Sequence, residues 1–326
     1  MKVRILIAVA GVLVLAGAAV AYVGFASARG HDVAATGAVS LSPGPRLLFR
    51  STADADRGHV ATVSATDPGG PRTVSPLACS RVYAAGGTGL CLRPDGDLTT
   101  YQLVVLDARL ASQREIPLVG LPNRARVSAD GRMLAWTVFV TGDSYNGGMF
   151  STRAGILDTA TGDLAGTLED YAVTLDGKPY QAADLNFWGV TFTADDRHFY
   201  ATMSSAGHRY LVAGDFAAHT IRTVRENVEC PSLSPDGTRV AFKSAVEGDP
   251  ARGWRLSVLD LAAAKVTPLA ETRSVDDQPA WLDDHTIGYG VARAPGHSDV
   301  WSVPADGTGA PRLLIPEAES PAALGP

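Results

Sequence analysis

From about residue 40 to the C-terminus, short apolar-polar alternations are separated by turns rich in Gly, Pro, Asp and Asn. Alternation with a period of two marks half-buried strands, and helical periodicity is confined to short loops. The most regular stretch is LSPDGTRVAF, residues 233–242: a β-prone residue, a polar Ser-Pro-Asp-Gly turn, then a short apolar strand. The same pattern occurs as LSPGPRLLF (41–49), VSADGRMLAW (127–136), FTADDRHFY (192–200) and WLDDHTIGYG (281–290). RVYAAGGTGLCL (81–92) is a divergent copy in which glycines replace the Asp-Gly turn.

A second strand-turn-strand element follows each copy, as in LVVLDARLASQREI from residue 103, AGILDTATGDLAGTL from 154 and LSVLDLAAAKVTPL from 256. The two elements alternate through the chain at roughly 40 to 60 residues per unit, the period of a four-stranded propeller blade. The expected fold is all-β: a six-bladed β-propeller with four antiparallel strands per blade. The first unit has little room for an innermost strand, and the C-terminal AESPAALGP is patterned like VECPSLSP, where the fifth unit begins. Residues 318–324 are therefore predicted to supply the inner strand of the first blade and close the ring.

The unit LSPDGTRVAF … WRLSVLDLAAAKVTPL resembles the repeat of TolB-type six-bladed β-propellers, in which Ser-Pro-Asp-Gly turns join the two inner strands and an apolar-x-apolar-Asp run ends the third. The resemblance covers about residues 40–322 and is most specific in the fifth unit. It also extends to the non-catalytic propeller of prolyl-oligopeptidase-type enzymes. It implies a fold, and for TolB-type propellers protein partners in the cell envelope; it implies no activity.

The N-terminus has a different character. Lys2 and Arg4 precede an almost unbroken apolar run, residues 5–28. Ala26 and Ala28 offer a signal-peptidase site, which would release the chain near Ala28. The run is also long enough for a membrane-spanning helix, and its length favours that reading. Residues 1–30 are thus expected to be an apolar helix acting as signal peptide or transmembrane anchor, residues 31–40 a linker, and residues 41–326 the propeller. Both readings place the propeller outside the cytoplasm.

The 326 residues are 46% hydrophobic and 19% charged, ample for a core. The net charge of −6 argues against nucleic acid as a partner. Three cysteines follow the apolar run. Cys79 and Cys91 flank a predicted hairpin turn, so they are expected to form a disulfide in an oxidising compartment, leaving Cys230 as a buried thiol.

In an antiparallel meander the short inner-hairpin turns share one face of the ring, and the longer connections collect on the other. Function concentrates on loops held by a rigid scaffold. The long connections supply Asp143, Tyr145, Arg153, Tyr180, Trp254, Asp276, Asp277, His297 and Asp299 as candidate ligand- or partner-binding residues. Asp276 and Asp277, in VDDQPAW, are expected at the axial mouth. Gly-x-Ser-x-Gly, His-Glu-x-x-His, a phosphate-binding P-loop and a dinucleotide glycine fingerprint do not occur. No catalytic residue, metal site or cofactor is assigned. The expected function is non-catalytic binding or scaffolding of an envelope protein, peptide or other envelope ligand. The alternative is a propeller enzyme of lactonase, lyase or dehydrogenase type with an axial site.

Overall fold

The computed structural model describes residues 38–96, 100–140 and 151–325; the apolar N-terminal segment, Asp143 and Tyr145 lie outside them. Six sheets form the six blades of a propeller. Blade 1 contains β1 (Arg46–Ser51), β2 (His59–Ser64) and β3 (Thr73–Ala78). Blade 2 is β4 (Arg81–Ala85), β5 (Thr88–Pro94), β6 (Tyr101–Leu106) and β7 (Ser112–Leu118). Blade 3 is β8 (Leu121–Val127), β9 (Met133–Val140), β10 (Ser151–Asp158) and β11 (Leu164–Ala165). Two extra strands, β12 (Ala172–Leu175) and β13 (Lys178–Tyr180), precede blade 4. Blade 4 itself is β14 (Asn186–Phe192), β15 (His198–Ser205), β16 (His208–Asp215) and β17 (Thr220–Glu226). Blade 5 is β18 (Glu229–Leu233), β19 (Arg239–Ala245), β20 (Trp254–Asp260) and β21 (Val266–Pro268). Blade 6 is β22 (Ala280–Trp281), β23 (Thr286–Ala294), β24 (His297–Pro304) and β25 (Arg312–Ile315). The last strand, β26 (Ala318–Ala323), returns to blade 1.

That return closes the ring as expected from the C-terminal pattern. Strand β26 lies antiparallel to β1, pairing Leu47 with Ala323 and Arg50 with Glu319. The Leu324 amide donates to the Arg46 carbonyl at 3.0 Å, and Gly44 donates to Gly325 at 3.2 Å. Residues 44–46 and 324–325 therefore meet where the other blades have an inner hairpin turn. Ala318, Ala322 and Leu324 are buried in the process. Val39 and Leu41 are buried too, packed with β5 and β6 residues of blade 2, so the end of the predicted linker already belongs to the core.

The repeated turn has a local cause. In blade 5 the Ser234 hydroxyl donates to Asp236 Oδ1 (2.5 Å), which also accepts from the Thr238 amide at 3.0 Å, while Arg239 N donates to Ser234 Oγ at 2.9 Å. Blade 3 repeats these bonds through Ser128, Asp130, Arg132 and Met133. Short polar side chains that bond their own backbone thus define the turn. In blade 2 the Gly86-Gly87 pair takes over, both residues having positive φ (57° and 79°) as a tight two-residue hairpin demands. The Asp ending several third strands caps the next turn: Asp158 Oδ1 accepts from the Ala160 amide, and Asp260 Oδ1 from the Ala263 amide.

The connection that carries Tyr180, residues 171–189, is not one long loop: β12 and β13 form a hairpin on the rim of blade 4, and β14 starts at Asn186. β12 pairs in parallel with β17, aligning Val173 with Ile221, and the sheet grows to six strands. Buried Leu168, Tyr171 and Val173 explain the docking, since they join Phe199 and Ile221 in one apolar cluster.

Cys79 and Cys91 form a disulfide, with Cα atoms 5.5 Å apart. Cys79 lies just before β4, so the bond ties the link between blades 1 and 2 to β5. Cys230 is a buried free thiol on β18.

Candidate axial binding site

Each inner strand starts on the face that carries the long connections, and charged side chains from those starts meet others from the neighbouring second and third strands. All six blades contribute charge there. Arg50 of blade 1 donates to Glu319 of the closing strand at 2.8 Å, and Arg81 of blade 2 stands 3.7 Å from the same carboxylate. Across the mouth, Asp276 bonds Lys243 of blade 5 and stands 3.7 Å from Arg124 of blade 3. Lys243 is also 3.6 Å from Glu229, which Arg209 of blade 4 approaches to 2.8 Å. Trp254 floors this chain of charges: Lys243 Nζ is 4.0 Å from its ring centroid and Arg209 Cζ 5.9 Å.

Backbone irregularity aims these groups. Ser320 and Cys230 adopt positive φ (54° and 50°), each next to a register shift in its inner strand. Such bulges re-aim side chains. Gly189 does the same in blade 4 with φ 64°, where a Cβ would come within 2.8 Å of the Cys230 Cα.

Burial and charge compete in the ring. Burial opposes the charge on Arg124, but Cys230, Asp277 and Asp276 around it raise its pKa on balance. Lys243 behaves alike: burial lowers its pKa, and Cys230, Asp276 and Glu229 together raise it. Burial pushes the Glu229 carboxyl up, partly offset by Lys243 and Arg209. At Asp276 burial also acts upward, but Lys243 and Arg124 hold the carboxyl below its usual value. Asp276 is 68% exposed and Lys243 5%, so the carboxylate forms the rim and the ammonium the wall.

A small cleft opens beside the ring, about 320 Å³ of space continuous with solvent, between blades 1, 2, 3 and 6. Arg81, Tyr83, Arg124, Arg126 and Asp277 line it. The Asp277 carboxylate accepts from the Gly290 amide at 2.9 Å. Gln278 bridges to the Val190 and Pro231 carbonyls and pins the inner strands of blades 4 and 5 together. Among the described residues no group of three or more His, Cys, Asp or Glu side chains is arranged to hold a metal ion.

The structure brings Trp254, Asp276 and Asp277 together at the mouth. His297 and Asp299 stand apart, between blades 6 and 1: His297 Nε2 is 2.9 Å from Arg57, and Asp299 accepts from the Glu317 amide at 2.8 Å. Tyr180 lies on the rim hairpin, its hydroxyl 2.8 Å from Ser205 Oγ. Arg153 is an exposed residue of β10 opposite Val138. Arg50, Arg81, Arg124, Arg126, Arg209, Glu229, Lys243 and Glu319 were missed. One signal was present: Glu229-Cys-Pro, Asp277-Gln-Pro and Glu319-Ser-Pro place an acid and a proline in the same register at three inner-strand starts.

These features define a six-bladed β-propeller closed by its C-terminal strand, with a charged axial mouth on the long-connection face. Among solved structures it is similar to TolB from Acinetobacter baumannii, with TM-score 0.62 and 16% identity over 86% of this chain and 67% of that one. It is also similar to a chain of the nidogen/laminin complex, with TM-score 0.55 and 11% identity over 86% of this chain and 98% of that one. At these identities the likeness is one of fold. No family model matches the sequence. No curated relative matches it either.

Proposed function

We propose that the protein is an extracytoplasmic, non-catalytic binding or scaffold propeller that engages an envelope protein or peptide through its long-connection face. The observation that carries this reading is the charged mouth to which all six blades contribute. Its members are cation–carboxylate pairs over an aromatic floor, an arrangement suited to recognition rather than to proton transfer by histidine. The Cys79–Cys91 disulfide supports an oxidising compartment. The apolar segment 5–28 would export the chain, as a retained anchor or as a signal peptide cut near Ala28. A propeller of similar fold in the nidogen/laminin complex lends support to a protein partner. Among the described residues no helix is long and apolar enough to cross a membrane.

The test is cross-linked capture of partners from an envelope extract with the full chain. Asp276→Ala and His297→Ala should release the partner without shifting the melt. Arg109→Ala and Lys265→Ala, on the short-turn face, should leave capture intact. Loss of capture only with the second pair overturns the reading. A lactone and sugar panel with metal analysis tests the propeller-enzyme alternative.

A further inference from the structure

Three cations line the axial cleft with most of their donors unused. A guanidinium offers several N–H donors in a planar fork. Arg124 makes one hydrogen bond, from Nη1 to the Asn123 carbonyl at 3.2 Å, besides its ion pair with Asp276 and its contact with the Cys230 thiol. Arg126 makes one, from Nη2 to the Pro279 carbonyl at 3.1 Å, and stacks over Tyr83 at 4.3 Å. Arg81 makes one long contact, 3.4 Å to Ser320 Oγ, besides its ion pair with Glu319. Arg124 and Arg126 are 8% and 5% exposed, and the Nε of each has no hydrogen-bond partner. A buried donor left unmade is costly, so such atoms call for an explanation.

The lining is unbalanced as well. Its one carboxylate, Asp277, is engaged by the Gly290 amide, while Asp276 and Glu319 nearby are each shared with a second cation, Lys243 and Arg50. Rigid, desolvated guanidinium forks with spare donors form a preorganised receptor for a planar anion.

The surroundings of the cleft narrow the ligand. The connection into β8, the strand whose residues 123–126 line the cleft, exposes two apolar side chains, Val119 at 75% and Leu121 at 48%. Leu121 opens the same strand that carries Arg124 and Arg126. An anion flanked by apolar contact fits an extended acidic peptide. Resting on the reading of this face as a binding surface, we propose that the cleft receives a carboxylate of an acidic, partly apolar peptide, held by Arg81, Arg124 and Arg126.

Fluorescence anisotropy with the full chain tests this directly. The probe is a labelled pentapeptide of alternating leucine and glutamate, compared with its leucine–glutamine counterpart. The glutamate peptide should bind at least about tenfold more tightly, the effect of one charge-assisted contact, and added salt should weaken it. Arg124→Gln with Arg126→Gln should remove that preference, while Arg109→Gln, on the other face, should not. Equal binding of the two peptides to the wild-type chain overturns the proposal without recourse to any variant. Equal loss with Arg109→Gln overturns it as well, by exposing mere charge attraction. Displacement by inorganic phosphate well below millimolar concentration assigns the cleft to a free anion and also overturns it. If the peptides fail while envelope capture still depends on Asp276 and His297, only this inference falls. If capture does not depend on them, the broader reading falls whatever the peptides do.

Discussion

Arg50 and Glu319 are 269 residues apart in sequence and 2.8 Å apart in space. Their ion pair crosses from β1 to β26, the two strands that close the ring, and Arg50 Nε also donates to the Cys79 carbonyl at 2.6 Å. One guanidinium thus joins the closing strand, blade 1 and the disulfide-bearing link to blade 2.

A chain ending at Glu317 loses this strand. Ala318, Ala322 and Leu324 leave the core, β1 gains an open edge, and Arg50 loses its carboxylate. The combined loss of burial and pairing amounts to roughly 5 kcal/mol or more. The truncated chain should melt at least about 10 °C lower by circular dichroism. An unchanged melt would show that closure does not hold the ring together.

The disulfide should matter on a smaller scale. Cys79 and Cys91 are 12 residues apart, and a loop of that length restricts the unfolded chain by about 2–3 kcal/mol. Replacing both by alanine should lower the melt by about 5 °C, and reductant should then have no further effect on the variant. A variant that stays as sensitive to reductant as the native protein would point to another thiol.

On the short-turn face, burial and the facing Asp130 carboxylate push the Asp196 carboxyl up to about 6. Its folded pKa exceeds its unfolded value, so the native state holds the extra proton between about pH 4 and 6. Stability from this group is therefore full below pH 4 and falls as pH rises through 6. Asp196 is only half-buried and Asp130 is exposed, so screening limits the loss at neutral pH to about 1 kcal/mol. Asp196→Asn should raise the melt by about 2 °C at pH 7 and leave it unchanged at pH 4. Asparagine also tolerates the positive φ of 55° at this site. A gain of equal size at both pH values would mean that charge is not its cause.

What could be read from sequence was what neighbours in sequence decide. Ser234, Asp236 and Arg239 bond one another within six residues, so the turn leaves a motif that repeats with the blades. Residues 318–324 were legible because they copy the start of blade 5. The axial ring was not, because its partners come from different blades: Arg124 meets Asp276, and Arg209 meets Glu229, only once the ring closes. The hairpin of β12 and β13 escaped for a related reason. Its anchor is a parallel pairing to β17, some 47 residues downstream at the Asp176–Thr223 bond, which no local pattern announces.

Lys243 is the test of how far the ring is structural. Its ammonium is buried between Glu229, 3.6 Å away, and Asp276, above the Trp254 ring. Glu229 is itself only 4% exposed, so removing the lysine leaves a buried carboxylate with Arg209 alone. Lys243→Met keeps the aliphatic stem against Trp254 but should cost about 3 kcal/mol, seen as a melt lowered by roughly 6 °C. Adding Glu229→Gln should restore part of that loss, because the uncompensated charge disappears with it. The double-variant cycle separates the pair from its surroundings. Additive losses would mean that Lys243 and Glu229 are independent. A non-additive cycle, with Asp276→Ala silent in the melt, would divide the ring into a structural half at blades 4 and 5 and an exposed rim free to meet a ligand.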